Sequence, residues 1–193
     1  MNYSELPILV SDFIKSDFIN LRPIKEFDTG LIVKWRNKES VKKNFLYRSN
    51  FTAEIHQQWF REKVQTGVVV QFIIEMKNYG ELVPVCTVYL RDIDYENLSA
   101  EFGTTTARKI LEFGLNELGL HRIFLRLLAE NIVAYKAYRK AGFITEGVFR
   151  DMKKIDGKYK DIMFMSSLSS DFYVGEYNSI VRMCGYPLYE VAA

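Results

Sequence analysis

Few side chains in this 193-residue sequence stand where their type and spacing could do chemistry. The two histidines, His56 and His121, are isolated from cysteines and paired carboxylates, so no catalytic metal is expected. The two cysteines, Cys86 and Cys184, lie far apart without metal-type spacing. They indicate neither a zinc site nor a disulfide framework, and neither is an obvious nucleophile. What remains is oxygen chemistry. Tyr138 carries a phenol whose reference pKa, about 10, lies close to that of a thiol, so it could deliver a proton to a departing group of that kind. On helical position alone it reads first as a half-buried aromatic of an amphipathic helix. Glu101 stands at a strand end, where a carboxylate can accept a proton directly or through a water; it reads equally as a strand-edge charge. Asn131 is a helix cap. Thr104, Thr105 and Thr106 open a helix whose free amides and positive end suit an anion, or they are caps and nothing more.

The elements that must position these groups follow from periodicity and punctuation. Residues 18–24 read as a first strand with Pro23 near its end. Asp28 and Thr29 are plausible caps for a helix through Leu31, Ile32 and Trp35. A second helix begins at Thr52, with Ile55, Trp59 and Lys63 on one face, and stops at Gly67. Residues 68–76 and 83–90 are β-branched and aromatic and flank Asn78-Tyr79-Gly80, which predicts an antiparallel pair. Ala107, Ile110, Leu111, Leu115 and Leu118 keep helical spacing up to Gly119. A strand follows at 121–128, nearly all apolar and so expected to be buried on both faces. Asn131 then caps a helix carrying Ala134, Tyr138 and Ala141, which ends at Gly142. Asp156-Gly157 joins strands 147–155 and 158–168 as a hairpin. Helix, glycine, strand, helix, glycine, strand is an α/β arrangement of mixed strand directions.

Two stretches carry a specific resemblance. Leu115-Asn116-Glu117-Leu118-Gly119-Leu120-His121-Arg122-Ile123 is followed by Ala129-Glu130-Asn131, Ala134, Tyr138 and Lys140-Ala141-Gly142-Phe143. Together with Glu146-Gly147, Arg150-Asp151 and residues 156–161, they resemble the GNAT superfamily of acetyl-coenzyme A-dependent N-acetyltransferases, in the branch of the ribosomal-protein-alanine acetyltransferases. Trp35-Arg36-Asn37, residues 56–60, and Asp92-Ile93-Asp94 with Asn97 are more loosely similar to a sub-branch acting on nucleotide-linked amino sugars. The resemblance implies a mixed, mostly antiparallel sheet with a splayed strand pair, flanked by about four helices. It implies acetyl-coenzyme A as co-substrate, no metal, and direct attack by a primary amine. Tyr138 would stand beside the coenzyme sulfur, with Glu101 as proton acceptor. Phe102, Gly103, Thr104, Thr105, Thr106, Asn131 and Ala134 would contact the coenzyme. The acceptor, a small molecule such as a nucleotide-linked amino sugar, would meet Trp35, Phe45, Tyr47 and His56. Core packing explains Trp35 and Trp59 adequately, and a solvated helix face is the commoner fate of a residue like His56. Lys42, Lys43 and Arg48 add positive charge that would suit a phosphorylated acceptor or simply a wet surface. A protein N-terminal acetyltransferase is the alternative.

One departure stands out. After Ala100-Glu101-Phe102-Gly103 the superfamily has a glycine- and arginine-rich loop whose amides cradle the coenzyme pyrophosphate. Here Thr104 follows at once. Either the polypeptide lacks the loop, which would leave a non-catalytic binding module as a further alternative, or residues are missing from the sequence as written. The intact surroundings favour the second, and a Gly103–Thr104 Cα separation of about 3.8 Å would favour the first.

Composition excludes other classes. Hydrophobic residues make up 48% and charged residues 26%, the balance of a globular protein. A formal charge of +2 is too mild for a nucleic-acid binder. Apolar runs are strand-length, so no membrane span is expected, and no signal peptide is evident. A cytoplasmic location follows from these. Residues 1–168 are expected to form the acetyltransferase domain. Residues 169–193 are expected to be a docked or partner-binding tail whose aromatics (Phe172, Tyr173, Tyr177, Tyr186, Tyr189) leave room for a homodimer.

Overall fold

The computed structural model describes residues 19–46, 48–103 and 107–172. Among the described residues seven strands form one sheet: β1 (Ile19–Pro23), β2 (Val69–Asn78), β3 (Glu81–Asp94), β4 (Ser99–Gly103), β5 (Arg122–Leu128), β6 (Ile144–Ile155) and β7 (Lys158–Leu168). Their order across the sheet is β1-β2-β3-β4-β5-β7-β6. Every neighbouring pair is antiparallel except β4 with β5. Two tight turns build the hairpins. Tyr79-Gly80 and Asp156-Gly157 both take positive φ at each central residue, the twist that lets two strands return without splaying.

Among the described residues the sheet separates a main core from a smaller one, and a third small cluster gathers Leu128, Ile155 and Ile162. On one face α4 (Ala107–Glu112), continued by a π-helical turn at Phe113–Glu117, and α5 (Ile132–Ala141) cover Phe72, Ile74, Val88, Leu90, Phe102, Ile123 and Leu125. On the other, α1 (Thr29–Arg36) and α3 (Ala53–Trp59), with its π-helical turn Phe60–Val64, close over Ile73 through Ile32 and Phe60. A short α2 (Glu39–Lys42) lies between α1 and α3 in the chain. Because β2 has helices on both faces, Phe72, Ile73 and Ile74 are all buried in an unbroken apolar run.

Three expectations need correction. Strand β5 is not buried on both faces: Ile123, Leu125 and Leu127 are inside, whereas Arg122, Phe124 and Arg126 alternate onto the half-exposed face. In α3 the buried stripe is His56 and Phe60, one turn apart, while Ile55 and Lys63 face outward. His56 is therefore not on a solvated face, because it points at α1 rather than away from it. Asp28 does not cap α1 with its side chain; Arg22 and the Lys25 amide hold its carboxylate instead. Thr52 does cap α3, accepting from the Ile55 amide at 3.4 Å.

The chain packs through Phe172, which is 6% exposed and belongs to the main core. The rest of the expected tail, 173–193, lies outside the described residues. Among the described residues no helix is long and apolar enough to cross a membrane.

Candidate active site

The parallel neighbours β4 and β5 stay together for a short distance only. Ser99 pairs with Arg122, Ala100 with Ile123 and Glu101 with Phe124. Beyond that, β4 ends at Gly103 while β5 runs on from Leu125 to Leu128, bonded on one side to β7. Among the described residues no strand occupies its other edge. A backbone edge left open beside a strand end is a docking site for an extended, amide-bearing chain. Asn131, just past β5, has its side chain committed to capping α5, where it accepts from the Ala134 amide at 3.2 Å. The cap fixes the start of the helix that carries Tyr138.

Tyr138 lies two turns further along α5, half-buried, its ring perpendicular to that of Phe102 at 6.0 Å and near that of Phe143 at 5.9 Å. Burial, then the neighbouring Tyr89 phenol, push its pKa up to about 12. Tyr89 reaches the same place from the opposite face of the sheet. It pairs with Gly103, and a Cβ at position 103 would lie 2.1 Å from Tyr89 Cζ, so only glycine lets that ring lie across the strand end. Burial raises the Tyr89 phenol as well. Two protonated phenols thus meet around the terminus of β4.

Glu101 is 4% exposed, and arginines hold it. Its Oε1 accepts from Arg91 Nη2 at 2.8 Å and Arg126 Nε at 3.2 Å, and its Oε2 from Arg126 Nη2 at 2.6 Å. A carboxylate has about four acceptor positions, which leaves one, on Oε2, free of these bonds. Arg36, at the end of α1, joins the group from above: it stacks on Phe45 at 3.7 Å and reaches Phe51 at 5.3 Å. Burial lowers its pKa, and it is close enough to Arg91 to feel that charge as well.

The remaining sequence-predicted residues scatter. Trp35 packs in the α1/α3 core, and Phe102 gives its side chain to the main core, leaving only backbone for a ligand. His56, 1% exposed, does not reach the cleft. Thr29 Oγ1 donates to the Glu26 carbonyl, so it accepts from His56 Nδ1 at 3.0 Å. His56 Nε2 is then a buried acceptor with no partner among the described residues. Tyr47 and 104–106 lie outside the described residues, as does the Gly103–Thr104 separation. Two residues of the looser sequence motifs make structural hydrogen bonds. Asn37 exchanges two hydrogen bonds with the Phe51 backbone, and Asp94 closes the β3–β4 turn onto the Glu96 and Asn97 amides.

Sequence reasoning missed Tyr89, Arg91 and Arg126. The signal was present: each alternates with core residues (Val88, Leu90, Leu125, Leu127) at strand period, which puts all three on one face. A cavity of about 440 Å³ opens where Lys43, Asn44 and Arg48 approach Leu128 and Asn131. Arg48 is ion-paired with Asp156 at the tip of the last hairpin. Among the described residues no cluster of three His, Cys, Asp or Glu side chains could hold a metal.

The parted β4–β5 pair is the splayed strand pair that the sequence resemblance implies. The family profile described as "Acetyltransferase (GNAT) domain" matches residues 19–144, and the chain belongs to that family of acetyl-coenzyme A-dependent N-acetyltransferases. Its relatives include the spermidine N(1)-acetyltransferase of Vibrio cholerae, 24% identical over 80% of this chain and 95% of that protein. The Escherichia coli K12 enzyme of the same name is 24% identical over 76% and 84% respectively. The crystal structure of the Vibrio cholerae enzyme in complex with CoA and spermine superposes with a TM-score of 0.70 at 23% identity, covering 80% of this chain and 98% of that one. A dodecameric structure of the same enzyme gives 0.64 at 22% identity, covering 80% of this chain and 95% of that one. These relatives are named as spermidine acetyltransferases, and they support neither the ribosomal-protein-alanine branch nor the amino-sugar sub-branch that the sequence resembles.

Proposed function

We propose that this protein acetylates the primary amine of a small molecule by direct attack on acetyl-coenzyme A, and that the acceptor is an amino sugar carried on a nucleotide. The observation that carries the acetyl transfer is the parted β4–β5 pair with Tyr138 at its mouth, while the acceptor rests on the looser sequence similarity of Trp35-Arg36-Asn37, residues 56–60 and Asp92-Ile93-Asp94 with Asn97. The thioester supplies an activated acetyl carbonyl. The exposed edge of β5 aligns its amide-bearing arm, and the Asn131 cap holds α5 beside it. The amine nitrogen forms the new C–N bond as the C–S bond breaks and its electron pair passes to sulfur. Tyr138 donates to that sulfur. The unoccupied acceptor position on Glu101 Oε2, directly or through a water, takes the proton that nitrogen sheds.

The second reading, a polyamine acceptor, is favoured by the names of the relatives. Self-association beyond a dimer belongs to either reading, on the strength of the dodecameric neighbour. An acceptor screen that follows thiol release, with nucleotide-linked amino sugars, spermidine, spermine and N-terminal peptides side by side, separates them. Turnover of the amino sugar alone is expected; turnover of spermidine alone refutes the first reading. Absence of acetyl-coenzyme A binding by calorimetry would leave a fold without the activity.

A further inference from the structure

The face of the sheet under α1 carries an unbalanced charge. Arg91 from β3 and Arg126 from β5 hold one buried carboxylate, Glu101, and Arg36 from α1, stacked on Phe45, lies close enough to Arg91 to feel its charge. The other acid nearby, Asp92, is mostly exposed and stands 3.8 Å from Arg91. Among the described residues Arg36 has aromatic partners but no hydrogen-bonded acid. Placing like charges together costs stability unless a ligand or an anion offsets them, and Glu101 can neutralise only one of the three. Among the described residues the guanidinium nitrogens without a hydrogen-bond partner are Arg126 Nη1, Arg91 Nε and Nη1, and the whole of Arg36. A planar, stacked guanidinium with its N–H edges free is suited to bidentate recognition of phosphate. A polyamine brings further positive charge to this face and meets only repulsion.

We infer that Arg36, Arg91 and Arg126 form an anion subsite on the acceptor side of the cleft, and that the acceptor is an amine bearing a phosphate or diphosphate group. This rests on the proposed acetyl transfer for its meaning, since it names the acceptor of that same site. Glu101 is the spacer that sets two of the arginines at fixed separation, and the Phe45 ring fixes the third. The charge comes from the acceptor rather than from the coenzyme because these residues share the face on which α1 lies, opposite to α4 and α5.

The test uses the full chain and two variants. Arg36→Met keeps an unbranched stem but removes the guanidinium that stacks on Phe45, and Arg36→Lys restores the charge without the fork. Calorimetry with inorganic pyrophosphate, glucosamine 6-phosphate and uridine diphosphate, in the presence of saturating CoA, is expected to show binding. Arg36→Met should weaken it about 10- to 100-fold, the range for losing a charged hydrogen bond, with partial recovery in Arg36→Lys. Which of the three probes binds best identifies a monophosphate or a diphosphate source. Displacement of the probes by CoA assigns the anion to the coenzyme site and overturns the proposal, as does absence of binding by all three. Indifference to Arg36→Met also overturns it. If CoA itself does not bind, the acetyl-transfer reading falls, while the same titration without CoA still decides the fate of the anion subsite.

Discussion

Replacing Tyr138 with Phe removes one oxygen from the mouth of the cleft and tests the proposed chemistry at its centre. A thiol has a reference pKa of about 8.5, whereas Tyr138 is held at about 12, so full transfer of its proton to the departing sulfur is uphill by about 3.5 pKa units, or ~5 kcal/mol. That gap is too large for Tyr138 to behave as a matched general acid. It is suited instead to donating a hydrogen bond that strengthens as charge builds on sulfur, worth about 1.5–3 kcal/mol for a charged partner. The expected loss in kcat is therefore about 10- to 100-fold, below the upper range of 10⁴ for full proton transfer. KM for acetyl-coenzyme A should stay within about threefold, because the bond forms mainly in the transition state. The pH profile supplies an independent check. With its pKa at about 12, Tyr138 stays protonated across the working range, so it should contribute no falling alkaline limb below pH ~11. Steady-state kinetics from pH 6 to 10, following thiol release for both proteins, reads both quantities. An unchanged kcat in Tyr138→Phe refutes the donor role. A wild-type limb near pH 10 that vanishes in the variant refutes the raised pKa.

Gly103→Ala forces a methyl into the Tyr89 ring and should cost about 1–3 kcal/mol, roughly 3–10 °C in thermal denaturation, with a fall in kcat as the second phenol is displaced. A variant as stable as the parent would show that Tyr89 moves freely. Glu101→Gln leaves Arg91 and Arg126 facing each other; since both arginines are about one-third exposed, the loss should be about 1–3 kcal/mol rather than the larger figure for a fully buried pair. If its last acceptor position takes the amine proton, kcat falls about 100-fold in the same variant, and a kcat within threefold reduces Glu101 to an arginine holder. Burial depresses the His56 pKa, so its unfolded form binds the proton more readily. Stability should be complete above pH ~6.5 and decline as pH falls below it. Asp28 is disfavoured as an anion by burial but held below its ordinary value by Arg22 and the Lys25 amide, and it should add a further loss below pH ~3.8. His56→Asn, which keeps a donor toward Thr29, should flatten urea-measured stability between pH 5 and 6.5; a slope equal to wild type removes His56 as its source.

Much of the architecture was legible in residue order, since it depends on local rules. Thr52 and Asn131 cap where a hydroxyl or amide precedes helical spacing, Gly142 takes the left-handed position that ends α5, and Asp156-Gly157 turns the last hairpin. Tyr138 was placed by the same means, because its position on α5 follows from the cap. The face that a side chain joins was harder to read. His56 and Ile55 are adjacent in an aromatic-rich helix, and only the approach of α1 decides that the imidazole goes in and the isoleucine out. The arginine cluster lay further from view. Arg91 and Arg126 are far apart along the chain and neither is unusual in its own segment, while Arg36, though part of the Trp35-Arg36-Asn37 motif, was given no role of its own. Local propensity and periodicity act over one or two turns of backbone, so they specified caps, turns and strand alternation here. Long-range charge arrangement is set by strand order and register, and it was the β3-β4-β5 adjacency that brought two guanidiniums, Arg91 and Arg126, onto one carboxylate.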